Sequence, residues 1–319
     1  MFQLVETAAI RDEHVLVLRA DALLVHRTHF GIDRAGGGAY ERRFLNIFVF
    51  GADGLVIRIE WFDPDRDAEA LARFDELVGD RTAGRTAQRR IRPNAALALI
   101  ARLDATIADR DVDALPALYA EETEVVDRRA GGVGGGTWHR QGVLDTWRAL
   151  LRAQDPKCRH EPLATLGAAL ALSRLSLRAS GFAGANFDVG PYEREEIFLH
   201  EVDAQGRLRR NEIFDTDRLG DAVACLYERY AELLPDGPAR ASAAATARSV
   251  AILVGPFDVE RYRAVHAPGI EVVDHRTLGT WFAHGAEPLM RNFGSLLDLT
   301  ADLVNRTDDV LAVRADSLL

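Results

Sequence analysis

The chain has 319 residues, 48% of them apolar, and a formal net charge of -10. The apolar fraction excludes disorder and suffices for two ordinary domain cores, while the negative balance argues against the clustered Lys and Arg that sequence-independent nucleic-acid binding requires. Cys158 and Cys225 are too few and too isolated for a disulfide framework or a zinc ligand set.

No apolar run reaches the roughly 20 residues of a bilayer span. The opening MFQLVETAAIRDE has neither a basic n-region nor an apolar h-region, which sets the cytoplasm as the expectation. Lys157 is the only lysine beside abundant arginine, alanine and glycine, which points to a GC-rich bacterial genome.

In chain order, the first ninety residues read as strands, EHVLVLRADALL at 13–24, YERRFLNIFVFGADG at 40–54 with ADG as a hairpin turn, and then EWFDPDR at 60–66. Asn94 opens AALALIARLDATIADRD, whose apolar spacing predicts an amphipathic helix with Arg102, Asp104 and Asp109 on its polar face. A short helix, DALPALYA, leads into the β-branched ETEVVD. A glycine loop at 131–136 and the helix QGVLDTWRALLRA follow. LATLGAALALSRLSLRAS, YEREEIFLHEVDAQG and RLRRNEIFD are strand material, and DTDRLGDAVACLYERYAEL reads as a closing helix.

Internal repetition organises these elements. YERRFLNIFVFGADG aligns without a gap to YEREEIFLHEVDAQG at 192–206, and the same register carries EWFDPDR onto EIFDTDR at 212–218. DVDALPALYAEETEVVD at 111–127 matches DVERYRAVHAPGIEVVD at 258–274, and DDVLAVRADSLL at 308–319 resembles EHVLVLRADALL. Three segments follow. Residues 91–238 form a complete unit, 1–90 form the second half of another, and 239–319 form its first half. Neither half can bury its apolar face alone, so the end halves are expected to meet, within one chain or by exchange in a homodimer.

The helix-then-strand order, with the EVVD, TW and EIFDTDR segments, resembles the SnoaL-like branch of the nuclear transport factor 2-like superfamily. VVDHRTLG followed by WF, and IRIEWFDPDRDAEALARFDEL, look like the tandem regions near the ends of large actinobacterial signalling or ATPase-type proteins. The resemblance implies an α+β fold of two cone-shaped units, each a curved antiparallel sheet wrapped on helices, one of them assembled from the two chain ends. It also implies an interior pocket and metal-free chemistry by carboxylates, histidines and tyrosines. Fold does not fix function.

The candidate residues come from period-two alternation and burial. In EVVDHR, Asp274 and Arg276 share one face and His275 takes the other. Asp274 is the candidate general base, with Arg276 as its partner or as a substrate contact. Glu60 lies mid-strand between apolar residues, where an inward acid must be paired or used, and Tyr40 occupies a strand position from which its hydroxyl can donate. The catalytic candidates are Asp274, His275, Glu60 and Tyr40, and the substrate-binding candidates are Arg276, Trp281, His29 and Trp61. All of them fall in the unit built from the chain ends. The central unit has Arg128 in place of His275. The histidines lack metal-ligand spacing and AGGVGGG lacks a following Lys, so no metal and no cofactor are expected.

Two functions fit these residues. The first is metal-independent acid/base chemistry on a small organic substrate, as a hydrolase first and an isomerase or lyase next. The alternative is a non-catalytic ligand-binding or assembly module of a larger regulatory protein. In both, the partner is a small molecule, with no nucleic acid and no membrane.

Overall fold

The computed structural model describes residues 15–32, 38–79, 91–129, 136–183, 188–189, 191–299, 304–310 and 312–314. Residues 131–135 of the glycine loop and the side chain of Tyr40 lie outside the described part. The first elements are β1 (Val15–Arg19), β2 (Ala22–Ile32), β3 (Ala39–Phe50), β4 (Val56–Phe62) and α1 (Asp67–Leu77). Next come α2 (Ala95–Ala108), a 3-10 turn at Leu115–Leu118, β5 (Tyr119–Asp127), β6 (Thr137–His139) and α3 (Arg140–Leu151). The central strands are β7 (Lys157–Leu166), β8 (Leu170–Ala179), β9 (Phe182–Ala183), β10 (Asp188–Val189), β11 (Tyr192–Val202) and β12 (Leu208–Phe214). The chain then runs through α4 (Leu219–Leu233), α5 (Pro238–Val254), α6 (Val259–Ala264), β13 (His266–Asp274), β14 (Ala283–His284), α7 (Ala286–Leu299), β15 (Val304–Val310) and β16 (Ala312–Arg314).

The chain divides into two compact units, Arg92–Thr216 and the pair of end segments Met1–Ile91 with Asp217–Leu319. In the central unit the strand order is β6-β5-β12-β11-β8-β7. The end unit repeats that order as β14-β13-β4-β3-β2, continues to β1 and β16, and pairs β15 with β2. The fold is α+β, and both sheets are mixed. β5 runs parallel to β12 and β13 runs parallel to β4, while their other neighbours within this repeated order are antiparallel. The terminal strands that resemble each other in sequence lie side by side, β16 at the sheet's end next to β1.

Local chemistry explains the central unit's start. Asn94 caps α2 by accepting from the Leu97 amide at 3.0 Å, and its Nδ2 donates to the carbonyls of Gly167 and Leu170, fixing the helix to the β7–β8 turn. Leu99, Ile100, Leu103 and Ile107 then bury one helical face. The expected helix over DALPALYA is shorter than its pattern suggests. It is a single 3-10 turn that gives way to β5 at Tyr119, whose aromatic side chain suits a strand.

One further placement differs from the sequence reading. DTDRLGDAVACLYERYAEL was expected to close the central unit, but α4 belongs to the compact end unit. It packs along α5, and the buried Tyr227 hydroxyl donates to the Ala22 carbonyl at 3.3 Å. Its N-cap is Arg218, with no side-chain bond.

The two hairpin turns of the repeat carry different loads. Gly54 has φ +75°, and a Cβ there would stand 2.4 Å from the Ala245 carbonyl carbon on α5. Gly206, its repeat partner, has φ +71° and meets nothing closer than Arg102 Nη2 at 3.6 Å. Gly54→Ala should therefore cost strain plus overpacking, about 2–4 kcal/mol, and Gly206→Ala only the strain, about 1 kcal/mol. Urea midpoints of the two variants measure the difference, and equal shifts would contradict the packing argument.

His266 gives the end unit an acid limit. Burial pushes its imidazole down from 6.5 to about 4, against a smaller opposing pull from the Tyr262 backbone. The unfolded chain therefore binds a proton on this ring below about pH 6.5 while the fold does not. Stability is present above that pH and falls as the pH drops towards 4, by up to about 3 kcal/mol from this ring. Denaturation at pH 7 and pH 5 should show the wild type losing more stability than His266→Gln. His29 and His200, lowered in the same direction chiefly by desolvation, leave a residual slope in that variant.

Candidate functional site

The central unit holds a cavity of about 810 Å³. Its helical wall is apolar, with Leu99, Ile100 and Leu103 from α2 and Val143, Trp147 and Leu150 from α3. The opposite wall is the inner face of the sheet, where His160, Leu175, Phe198, His200, Asn211 and Ile213 face the same space as Tyr119. A volume of this size with a few convergent polar groups is typical of small-molecule sites.

The polar groups are ordered around Asp104, whose two oxygens grip His160. Oδ1 lies 2.6 Å from Nδ1, and Oδ2 accepts from the His160 backbone amide at 3.1 Å. A carboxylate only accepts, so Nδ1 carries the hydrogen and Nε2 keeps its lone pair. The His160 side chain is 1% exposed, whereas that of Asp104 is 28% exposed. His200 stands beside it, ring centroids 5.6 Å apart, with Nε2 2.8 Å from Ser173 Oγ. Burial, and secondarily the charge His160 can carry, hold His200 far below its usual pKa, so it stays a neutral imidazole. Burial also pushes the Tyr119 phenol and the Cys158 thiol upward, with a Trp147 hydrogen bond opposing the first and the Asp104 charge reinforcing the second. The phenol keeps its hydrogen.

At Arg129 the cavity wall is charged. Its Nε and Nη2 donate to Asp127 at 2.8 and 2.6 Å, and Nη1 pairs with Glu196. Asp127 is held below the usual carboxylate range chiefly by Arg129, whereas burial raises Glu196 despite Arg194 and Arg129.

The residues singled out from sequence lie in the end unit, in two groups. Asp274, Arg276, Trp61, Trp281 and His29 come together. Arg276 donates to Asp274 through Nε and Nη2, both at 2.7 Å, and its guanidinium lies over the rings of Trp61 and Phe44 at 5.3 and 5.7 Å. Trp61 meets Trp281 edge-on at 5.1 Å, and His29 meets Phe44 at 4.5 Å. Asp274 also accepts from the amides of Thr280 and Trp281, each at 3.1 Å. Burial opposes its charge, but these bonds hold its pKa below the ordinary value.

Glu60 and His275 do not join that group. Neighbours on a strand point to opposite faces, so Glu60 turns away from the face that Trp61 shares with Asp274. There it accepts from His275 Nε2 at 2.8 Å and from Arg73 of α1, and it also pairs with Arg58. Glu60 and Asp274, both candidates from the sequence, therefore have separate partners and do not meet. Tyr40 lies on β3.

The sequence reading missed Asp104, Tyr119, His160 and His200. Cys158 and His160 alternate on β7 and so share a face, which was readable. Asp104 was assigned to the polar face of α2, and only packing shows that this position meets β7.

No family model matches the sequence, and no curated protein matches it. Solved structures do resemble it. The steroid delta-isomerase of Pseudomonas aeruginosa is 19% identical, with 43% of this chain and 95% of that one covered at a TM-score of 0.29. RV0760c of Mycobacterium tuberculosis, solved with estradiol-17beta-hemisuccinate, is 14% identical over 38% of this chain and 93% of that one, at a TM-score of 0.33. The epoxide hydrolase/cyclase-like enzyme SalBIII, described in pyran ring formation in the polyether salinomycin, is 12% identical over 37% and 88%, at 0.31. Among the described residues, no helix is long and apolar enough to cross a membrane.

Proposed function

We propose that the central unit binds an apolar small molecule in its cavity and that His160, oriented by Asp104, takes a proton from it. The observation that carries this reading is the 2.6 Å Asp104–His160 bond in the wall of the 810 Å³ cavity. The carboxylate fixes the tautomer and favours the imidazolium that forms, and the lone pair on Nε2 is the base. Tyr119 and neutral His200 supply hydrogen-bond donors for an oxygen that gains charge as the proton leaves.

Proton transfer from carbon, leading to isomerisation, fits better than hydrolysis. A hydrolytic water needs two to four polar partners, and in this cavity it would have to take the Tyr119 and His200 groups that the substrate oxygen uses. A carbon acid brings its own proton.

The test is hydrogen–deuterium exchange at the α-carbon of candidate apolar ketones in D2O, followed by NMR. Wild type should exchange well above the buffer rate and His160→Gln at the buffer rate. Equal rates in both would overturn the reading. Ligand binding without exchange would favour the binding module, and ester cleavage dependent on His160 would favour hydrolysis.

A further inference from the structure

We infer that Asp104, Cys158 and His160 form a binding site for a soft divalent cation of the Zn2+ type. This goes beyond the proton-transfer reading and does not depend on it. The three donors come from two elements that the fold presses together. Cys158 and His160 project from one face of β7, and α2 brings Asp104 against that face. One ligand atom from each lies within 4.8 Å of the others. Cys158 Sγ is 3.9 Å from Asp104 Oδ1, and His160 Nδ1 is 2.6 Å from the same oxygen.

The donor set is one sulfur, one nitrogen and one oxygen, which suits Zn2+ and leaves a fourth position for water or ligand. With bonds of about 2.0–2.3 Å, donors around a tetrahedral ion stand roughly 3.3–3.8 Å apart. The thiol and carboxylate are already near that separation. The imidazole must draw back by less than about 1 Å once its bridging hydrogen is gone, and the partly exposed Asp104 side chain has room to follow.

Protons balance simply. The thiol gives up its hydrogen to solvent, the carboxylate has none to lose, and the imidazole hydrogen moves from Nδ1 to Nε2. Binding therefore releases about one proton per ion. It also puts a hydrogen on the nitrogen that would otherwise be the base, so an occupied site and a basic His160 exclude each other.

Sequence spacing conceals such a site. Its ligands are spread from residue 104 to residue 160, and the two on β7 lack the spacing of a zinc motif.

The experiment is a Co2+ titration of tag-free protein followed by absorption. A thiolate-to-cobalt charge-transfer band saturating at one equivalent, and displaced by Zn2+, is expected. Cys158→Ser should abolish the band, and Cys225→Ser, which removes the other cysteine, should retain it. No band at excess Co2+, or a band that survives Cys158→Ser, would overturn the proposal. Should Cys158→Ser fail to fold, alkylation of wild type decides: Zn2+ must slow maleimide labelling of Cys158, mapped by peptide, and unchanged labelling also overturns it. None of these readouts needs a substrate, so they stand apart from the exchange test.

Discussion

His160→Gln should lower the rate of any proton transfer in the central cavity by about 10²- to 10⁴-fold. Glutamine retains an amide that can bond Asp104 but offers no basic nitrogen at the Nε2 position, so the loss isolates the base. Asp104→Asn should give a loss of the same order by a different route. An asparagine can donate to Nδ1, which stabilises the tautomer with its lone pair on the wrong nitrogen, and it cannot favour the imidazolium. Single-turnover rates with a substrate found by the exchange screen check both. A drop confined to KM in either variant would mean that the residue only binds. The matched change in the end unit, Asp274→Asn, should leave this rate unchanged.

Repetition was the most legible feature of the chain. The gapless match of YERRFLNIFVFGADG to YEREEIFLHEVDAQG placed β3 with β11, and EVVD placed β13 with β5, which are equivalent strands in the two sheets. Asp274 and Arg276 do pair, at 2.7 Å, but β13 ends at Asp274 and Arg276 lies in the bend beyond it, so the contact comes from the turn and not from strand alternation. The partition of α4 was not legible. Its sequence follows EIFDTDR as α1 follows EWFDPDR, but it packs along α5, and its Tyr227 hydroxyl donates to a carbonyl some two hundred residues earlier.

The candidate site was less legible, for a physical reason. A carboxylate on a helix surface and a histidine on a strand carry no mark of each other until the helix docks. Asp104 looked solvated because its neighbours Arg102 and Asp109 are polar, yet the helix turns it towards β7. In the end unit, local patterning drew attention to Glu60, whose burial is real. Its charge is answered by Arg58, Arg73 and His275, so burial alone did not mark a catalytic acid. Burial opposes ionisation there, and the three partners still hold its pKa below the ordinary value.

Asp274→Ala is expected to be among the most destabilising single changes in the end unit, at about 3–5 kcal/mol. Its side chain is fully buried and accepts from Arg276 and from the amides of Thr280 and Trp281. Removing it strands a guanidinium only 7% exposed that lies over two aromatic rings and leaves three backbone donors, the amides of Arg276, Thr280 and Trp281, without that acceptor. Asp274→Asn should cost less, because the amide oxygen can still receive the Thr280 and Trp281 hydrogens although the charge is gone. Denaturant unfolding ranks the variants as wild type above Asn above Ala. If Asp274 were instead a catalytic base, Asp274→Asn would abolish turnover while leaving the unfolding midpoint in place. That outcome would move the chemistry to the end unit and would leave the Asp104–His160 pair with only a structural or metal-binding role.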